Sequence, residues 1–187
     1  MWMVRNNGGD YADEFIKQEI ASIGWKDAGS LKNLKTRDQI IQKVKMTWPD
    51  YKPMKAVVSG SQLDKIANVM QINDRVITYD PSKRIYHVGQ ISGDYEFASE
   101  AEDVLANRRT VVWKNQIDRD LLSVPTKNSL GSALTVFEVS ENAEREIDAL
   151  ITGKSDTAAQ PEKFATSEAE INVENLLEDR RIASHEI

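Results

Sequence analysis

Short runs of alternating apolar and polar residues predict most of the strands in this chain. The clearest run extends from Ile72 to Phe97, where strands from Arg75 to Tyr79 and from Arg84 to Ile91 flank a turn at 80–83. A Ser-Gly-Asp break at 92–94 follows the second strand and leads into an aromatic pair. Further strands are predicted from Trp2 to Arg5, Ser22 to Trp25, Arg109 to Trp113 and Leu134 to Val139. This pattern is typical of a small β-barrel with a loop at its mouth.

Helical periodicity fills the gaps between these strands. Asp10 is predicted to cap a first helix, and Thr36 with Gln39 forms a capping box that opens a second. That second helix should stop before Trp48, because Pro49 disfavours a helical conformation in the residue that precedes it. Residues 53–70 predict a third helix, interrupted by the Ser-Gly-Ser triplet at 59–61. Residues 123–132 are predicted to form a polar loop, and residues 142–151 another helix.

The C-terminal quarter of the chain has the composition of a connector. Residues 152–166 predict a linker, and Ser167 with Glu170 opens a helix that reaches Ile187 without a stop signal. We therefore expect a domain at 1–140 and an acidic helical linker at 141–187, cut before a further domain. The C-terminal helices could also support an oligomer.

Charge and composition exclude several classes of function. Residues 1–140 carry 19 basic and 18 acidic side chains, and residues 141–187 carry 5 and 12, so no global basic field favours polyanions. The lysines at positions 32, 35, 43 and 45 are interpreted as ordinary solvated surface. The chain has no cysteine, no signal-like apolar start and no run long enough to span a membrane. This composition fits a cytoplasmic protein.

Residues with catalytic chemistry are scarce. The chain has two histidines, and His87 lies inside a predicted strand. No zinc-protease, nucleophile-elbow, P-loop or dinucleotide motif is present. The string from Pro49 to Lys52 is a weak match to a nuclease motif, because it lies in a proline-bounded loop without a second acidic strand. We expect that this chain does no chemistry by itself and binds no metal or cofactor.

Aromatic residues at loop edges are the stronger signal. Trp25 follows a glycine at a predicted strand end, and Tyr95 and Phe97 follow the break at 92–94. Any one such ring most often fills a core, but three at loop junctions predict a cage for a flat base. Basic residues could contact phosphates around it, at Arg5, Lys26, Arg109 and Lys127. The polar loop could touch the base edge or the backbone through Asn128, Ser129, Gly131 and Ser132.

Five segments of the chain together resemble a known family. They are WMVR near the start, IGW at 23–25, NDRVITYDPSKRIYHVGQISGDYEF, RRTVVWKNQIDRDLLS and TKNSLGSALTVFEV. In this order they resemble the N-terminal domain of Mrr-type restriction endonucleases, a PUA-like domain close to the EVE and YTH modules. The resemblance covers residues 1–140. Residues 167–187 resemble the connector into the Mrr nuclease domain, which this chain does not contain.

The resemblance implies an α+β fold, a PUA-like (EVE/YTH-like) small β-barrel flanked by helices, with a C-terminal helical linker. YTH domains read N6-methyladenine in RNA, and EVE-like domains are associated with modified DNA. Their first cage tryptophan follows a glycine turn that matches Gly24 and Trp25. Their second cage aromatic is a tryptophan, and this chain has Tyr95 and Phe97 in that region. Their strand beginning Arg-Trp corresponds to residues 109–118, and the loop after it to 128–132.

We therefore expect the DNA-binding specificity module of a type IV, Mrr-like restriction endonuclease used in phage defence. Trp25 would stack on a flipped, methylated or otherwise modified base, and Tyr95 would close the cage. Arg5 and Arg109 would hold phosphates, while Mg²⁺ would belong to the absent nuclease domain. Two alternatives stay open. One is an RNA- or tRNA-binding PUA-like module, and the other is a ligand-sensing or protein-interaction module that regulates an attached effector.

Overall fold

The computed structural model describes residues 1–153 of the 187-residue chain. Its strands are β1 Trp2–Val4, β2 Ile20–Ile23, β3 Arg75–Asp80, β4 Ile85–Ile91, β5 Glu96–Phe97, β6 Asn107–Asp118 and β7 Val136–Glu138. Its helices are α1 Ala12–Gln18, α2 Arg37–Thr47, α3 Pro53–Asp64, α4 Val124–Ser129 and α5 Glu141–Thr152. A π-helical turn, Lys65–Val69, follows α3 directly, and 3₁₀ turns include Lys26–Ala28 and Asp103–Leu105.

The seven strands form one curled, mixed sheet. The strand order is β2-β6-β4-β3-β1-β7, and β5 also pairs with β6. Strand β1 runs parallel to β3, and the other pairs are antiparallel. The first part of β6 pairs with β2 and its second part with β4, so this long strand joins two parts of the sheet. The α+β class is as predicted, and the curled sheet with its helices is compatible with the predicted small barrel flanked by helices.

Side chains from the two faces of the sheet enter two separate core clusters. Strand β1 shows the alternation, since Trp2 and Val4 pack in the first cluster and Met3 in the second. The first cluster contains residues of α1, α2 and α3, such as Phe15 and Ile40. The second contains residues of α5 and the residue that follows α4. Trp25 and Tyr95 pack against the first cluster, so the candidate site lies on that side of the sheet.

The helical hairpin of α2 and α3 tests several of the predictions. The Thr36–Gln39 capping box is present, and α2 ends at Thr47, one residue before Trp48. Both features confirm the prediction. The predicted interruption at 59–61 is wrong, because α3 continues through Gly60. A Cβ at position 60 would lie 2.7 Å from Ile41 Cγ1, so glycine is needed there for close helix packing.

Three local predictions also need correction. Helix α1 begins at Ala12 with Tyr11 in the cap position, so Asp10 does not cap it. Strand β2 ends at Ile23, so Trp25 lies outside it. The predicted polar loop at 123–132 contains helix α4, whose first N–H groups are capped by the Ser123 hydroxyl. The candidate residues Asn128 and Ser129 are therefore helical.

Helix α5 packs against the body formed by the preceding residues. Ala143 and Ile147 are buried in the second cluster, and Arg75 pairs with the carboxylates of Glu144 and Asp148. The predicted helix at 142–151 is thereby confirmed and belongs to the packed structure. The predicted linker beyond position 153, the helix from Ser167 and the expected oligomer contacts lie outside the described residues. Within residues 1–153, every helix is too short or too polar to cross a membrane.

Candidate functional site

Trp25 occupies a strained backbone conformation. Its φ of 63° and ψ of 41° place it in the left-handed region, immediately after β2. Bulky L-residues rarely adopt this conformation, which costs on the order of 1–3 kcal/mol and persists only where the surroundings enforce it. The Trp25 side chain is half-buried and packs against the first core cluster. The chain thus maintains an unfavourable turn to hold this ring at the surface of the core.

Two polar side chains hold the Trp25 turn in place. The amide of Asn107 donates to the carbonyl of Gly24 at 2.6 Å, and the backbone N–H of Lys26 donates to Asp103 Oδ1 at 2.8 Å. A Cβ at position 24 would lie 2.6 Å from Asp103 Oδ2. A larger residue before the tryptophan would therefore displace the Asp103 carboxylate that holds the turn.

Tyr95 is tied to the same network. Its hydroxyl accepts a hydrogen bond from the Leu31 N–H at 3.2 Å and donates to Asn107 Oδ1 at 2.7 Å. Burial raises the pKa of the Tyr95 phenol. Phe97 is the register partner of Asn107 in the β5–β6 pair and is half-buried. The turn that carries Trp25, the Tyr95 hydroxyl and the strand position of Phe97 are therefore all linked to one buried asparagine, which the sequence analysis did not identify.

A polar cleft of about 380 Å³ lies beside Tyr95. Its polar lining combines Lys35, Asn68 and Gln71 with Asp94, the residue before Tyr95, and with Arg109. The amide of Asn68 donates to the Leu34 carbonyl and to Asp64, which leaves its Oδ1 as an acceptor. This volume is at the lower end of the range for small-molecule sites.

Arg109 is a buried cation next to this cleft. Its residue is 5 % exposed, and its guanidinium donates to the carbonyls of Ile66, Ala67 and Gly93. Burial lowers the pKa of Arg109, although nearby Asp94 and Asp74 act in the opposite direction. No carboxylate within residues 1–153 forms an ion pair with it. Arg109 was predicted to contact phosphates at an open rim, but the structure places it inside, where an anionic or carbonyl group in the cleft could reach it.

Two other predicted phosphate ligands hold loops together. Arg5 donates to the carbonyls of Leu130 and Ser132, and Lys26 Nζ donates to the carbonyl of Ala101 at 2.7 Å. Both cations are thereby anchored to backbone carbonyls, although each keeps N–H donors that these bonds do not use. Lys127 lies in α4 and is half-buried.

The segment at 128–132 lies apart from the aromatic residues. Leu130 packs in the second core cluster, whereas Trp25 and Tyr95 pack against the first. Ser129 Oγ lies 3.3 Å from Ser140 Oγ, and Ser132 Oγ accepts from the Leu134 N–H. The structure therefore does not bring Asn128, Ser129, Gly131 and Ser132 to the predicted cage.

Comparison with known proteins adds a family to this geometry. Residues 1–140 match the family described as a domain of unknown function, DUF8426. The chain belongs to this family. The DUF8426 match contains all seven strands and the whole Trp25–Tyr95 site, while α5 lies just beyond it. No curated protein and no solved structure matches the chain. Within residues 1–153, no group of three acidic or histidine side chains is arranged to hold a metal ion.

Proposed function

We propose that this DUF8426 domain binds DNA and holds an extruded, modified base at the site of Trp25 and Tyr95. In this proposal it is the specificity module of an Mrr-like restriction endonuclease, with a PUA-like fold. The observation that carries the proposal is the left-handed Trp25, fixed by Asn107 and Asp103. A polar cleft that reaches Asp94, the residue before Tyr95, supports it. Strained residues that the surrounding structure enforces are concentrated at ligand-binding positions.

The energetics require the cleft as well as the rings. Extruding a base from duplex DNA costs a few kcal/mol, and stacking on an aromatic side chain returns about 1–3 kcal/mol. One added methyl group contributes roughly 1–3 kcal/mol of discrimination in an apolar pocket. Hydrogen bonds to the base edge must therefore supply part of the affinity. The cleft offers acceptors on Asn68 and Asp94 and a buried donor group on Arg109.

Cleavage is assigned to a separate part of the parent protein. The proposal places a Mg²⁺-dependent nuclease domain outside this chain, and the DUF8426 domain would deliver it to modified sites. Base recognition by Trp25 can therefore be tested without any cleavage assay.

The test is equilibrium binding of labelled duplexes that differ in a single modified base. Wild type should prefer the modified duplex, and Trp25→Ala should lose this preference. Trp113→Ala is a matched control, because Trp113 is also half-buried against the first core cluster and donates to the Phe15 carbonyl outside the site. Thermal unfolding of each variant separates loss of binding from loss of fold. Equal affinity of wild type for all duplex pairs, or an unchanged preference in Trp25→Ala, would contradict the proposal.

The same titration separates the two alternatives. An RNA-binding module would be displaced from DNA by low concentrations of RNA, because contacts to 2′-hydroxyl groups favour RNA. A ligand-sensing or protein-interaction module would show no salt-sensitive binding to either nucleic acid.

A further inference from the structure

The near-neutral body contains one strongly basic segment. Of the 19 basic and 18 acidic side chains in residues 1–140, seven basic and two acidic ones lie between positions 32 and 55. The rest of the body holds 12 basic and 16 acidic side chains and is therefore acidic. The average charge conceals this separation, and the sequence alone interprets Lys32, Lys35, Lys43 and Lys45 of this segment as ordinary solvated surface.

The fold gathers part of this segment at one end of a helical hairpin. Helices α2 and α3 pack closely at Ile41 and Gly60, so the end of α2 and the start of α3 meet around the connecting turn at 48–52. Four lysines lie within about two turns of this connection, and all of them are exposed. They are Lys43, Lys45, Lys52 and Lys55.

Aromatic stacking organises this end of the hairpin. The rings of Trp48 and Tyr51 stack with centroids 5.4 Å apart and planes inclined by 14°. The Lys55 ammonium lies 4.1 Å from the centroid of the Tyr51 ring. This arrangement holds Lys55 in place and reduces the entropy lost when it binds an anion.

Helix stability accounts for only part of this placement of positive charge. Lys43 and Lys45 lie towards the C-terminus of α2, where the helix dipole favours cations. Lys55 lies in the first turn of α3, where the dipole disfavours a cation, and this turn has no acidic residue. Within residues 1–153, no carboxylate lies within ion-pair distance of Lys43, Lys45 or Lys55. An anionic partner would remove this electrostatic cost.

We propose that the hairpin end, residues 43–55, binds the phosphate backbone of DNA beside the extruded base. This inference rests on the proposed function and adds a second contact surface to it. Helix α2 separates the hairpin end from Lys35, which lines the cleft, and the 11 residues of this helix span about 16 Å. That span corresponds to about five base pairs of B-DNA at roughly 3.4 Å each. A duplex that ends closer than this to the modified base should lose the contact.

The test compares two triple variants that remove the same charge. Lys43→Gln, Lys45→Gln and Lys55→Gln remove the hairpin cations, and the control is Lys17→Gln, Lys114→Gln and Arg145→Gln, which are also exposed. Dissociation constants for modified and plain duplexes are measured between about 50 and 200 mM salt. The hairpin variant should bind both duplexes at least about tenfold more weakly than the control. The plot of log affinity against log salt concentration should become less steep by about 0.9 for each lost phosphate contact. We expect two to three contacts to be lost.

The outcomes separate this inference from the proposed base recognition. If the hairpin variant weakens DNA binding while wild type shows no preference for modified bases, the backbone surface stands and base recognition fails. If both triple variants lose affinity equally, or the hairpin variant keeps full affinity and preference, the hairpin is not the DNA surface. The inference would also be overturned if polyglutamate of the same charge competed for the protein as effectively as DNA does.

Discussion

The hydroxyl of Tyr95 donates a 2.7 Å hydrogen bond to Oδ1 of Asn107, a side chain with no solvent exposure. The amide of the same asparagine donates to the carbonyl of Gly24. One residue of β6 therefore links the loop before β5 to the turn after β2. The two aromatic elements of the candidate site are positioned by this shared buried polar group.

Replacing Asn107 by alanine should destabilise the domain and loosen the site. The Tyr95 hydroxyl would lose the acceptor and the Gly24 carbonyl the donor that Asn107 supplies, at a cost of about 1–3 kcal/mol for each group left buried without a partner. We expect the melting temperature to fall by roughly 5–10 °C in a domain of this size. Asn115→Ala, at an exposed position of the same strand, is the control and should change it little. Equal effects of the two substitutions would contradict the assigned role of Asn107.

The left-handed conformation at position 25 predicts an unusual order of variant stability. Trp25→Gly and Trp25→Ala both remove the ring, but glycine adopts a positive φ without strain. We therefore expect Trp25→Gly to be more stable than Trp25→Ala by about 0.5–1 kcal/mol in urea unfolding.

The same two substitutions at Phe97 serve as the control pair, and there we expect the opposite order of stability. It lies in strand β5, where glycine is less favourable than alanine by roughly 0.5–1 kcal/mol. Phe97→Ala should thus be more stable than Phe97→Gly. If the alanine variant is the more stable one at both positions, the Trp25 turn is not strained.

Asp80 predicts a specific loss of stability in acid. Burial alone would raise its pKa, but hydrogen bonds from Ser82 and Lys83 outweigh this effect and lower the pKa to about 2. A folded-state pKa below the unfolded value gives stability that is present above about pH 4 and lost as pH falls towards 2. The shift corresponds to about 2 kcal/mol. Urea unfolding at pH 7 and near pH 2 should show this extra loss in wild type and not in Asp80→Asn; parallel losses would refute it.

The packing of α5 predicts where the stable unit ends. A chain that stops at Ser140, the end of the family match, loses the buried Ala143 and Ile147 and the carboxylates that pair with Arg75. Burial of one isoleucine alone contributes about 1.5–3 kcal/mol. The chain ending at Ser140 should therefore unfold at lower urea than the chain ending at Gly153. Identical midpoints would mean that α5 contributes nothing to the fold.

The sequence correctly predicted those elements whose conformation is determined by residues that are neighbours in the chain. The Thr36–Gln39 capping box, the stop before Pro49 and the strand–turn–strand from Arg75 to Ile91 depend on neighbouring residues, and the structure contains all three. Residues 59–61 and 123–132 were mispredicted because distant residues decide their conformation. Gly60 faces Ile41 of another helix, and α4 is stabilised by hydrogen bonds to Glu146 from Ser123 and Thr126.

The candidate site was predictable in its aromatic residues and not in its polar ones. The Gly24–Trp25 pattern and the aromatics after the 92–94 break are visible in the sequence. Asn107 carries no motif, and its role depends on the register that places it opposite Ile23 and Phe97. Arg109 resembles any surface arginine until the fold buries it beneath the π-helical turn. Lysines 43, 45 and 55 come to the same end of a hairpin only when α2 and α3 pair.

The central claim is that the Trp25 site binds a modified base extruded from duplex DNA. The most direct measurement is the dissociation constant of wild type for four duplexes, with the target base modified or plain and either paired or mismatched. Because a mismatch lowers the cost of extrusion, the modified, mismatched duplex should bind tightest and the plain, paired duplex weakest. Each change should alter affinity by roughly fivefold or more. Equal affinity for all four duplexes would contradict the account.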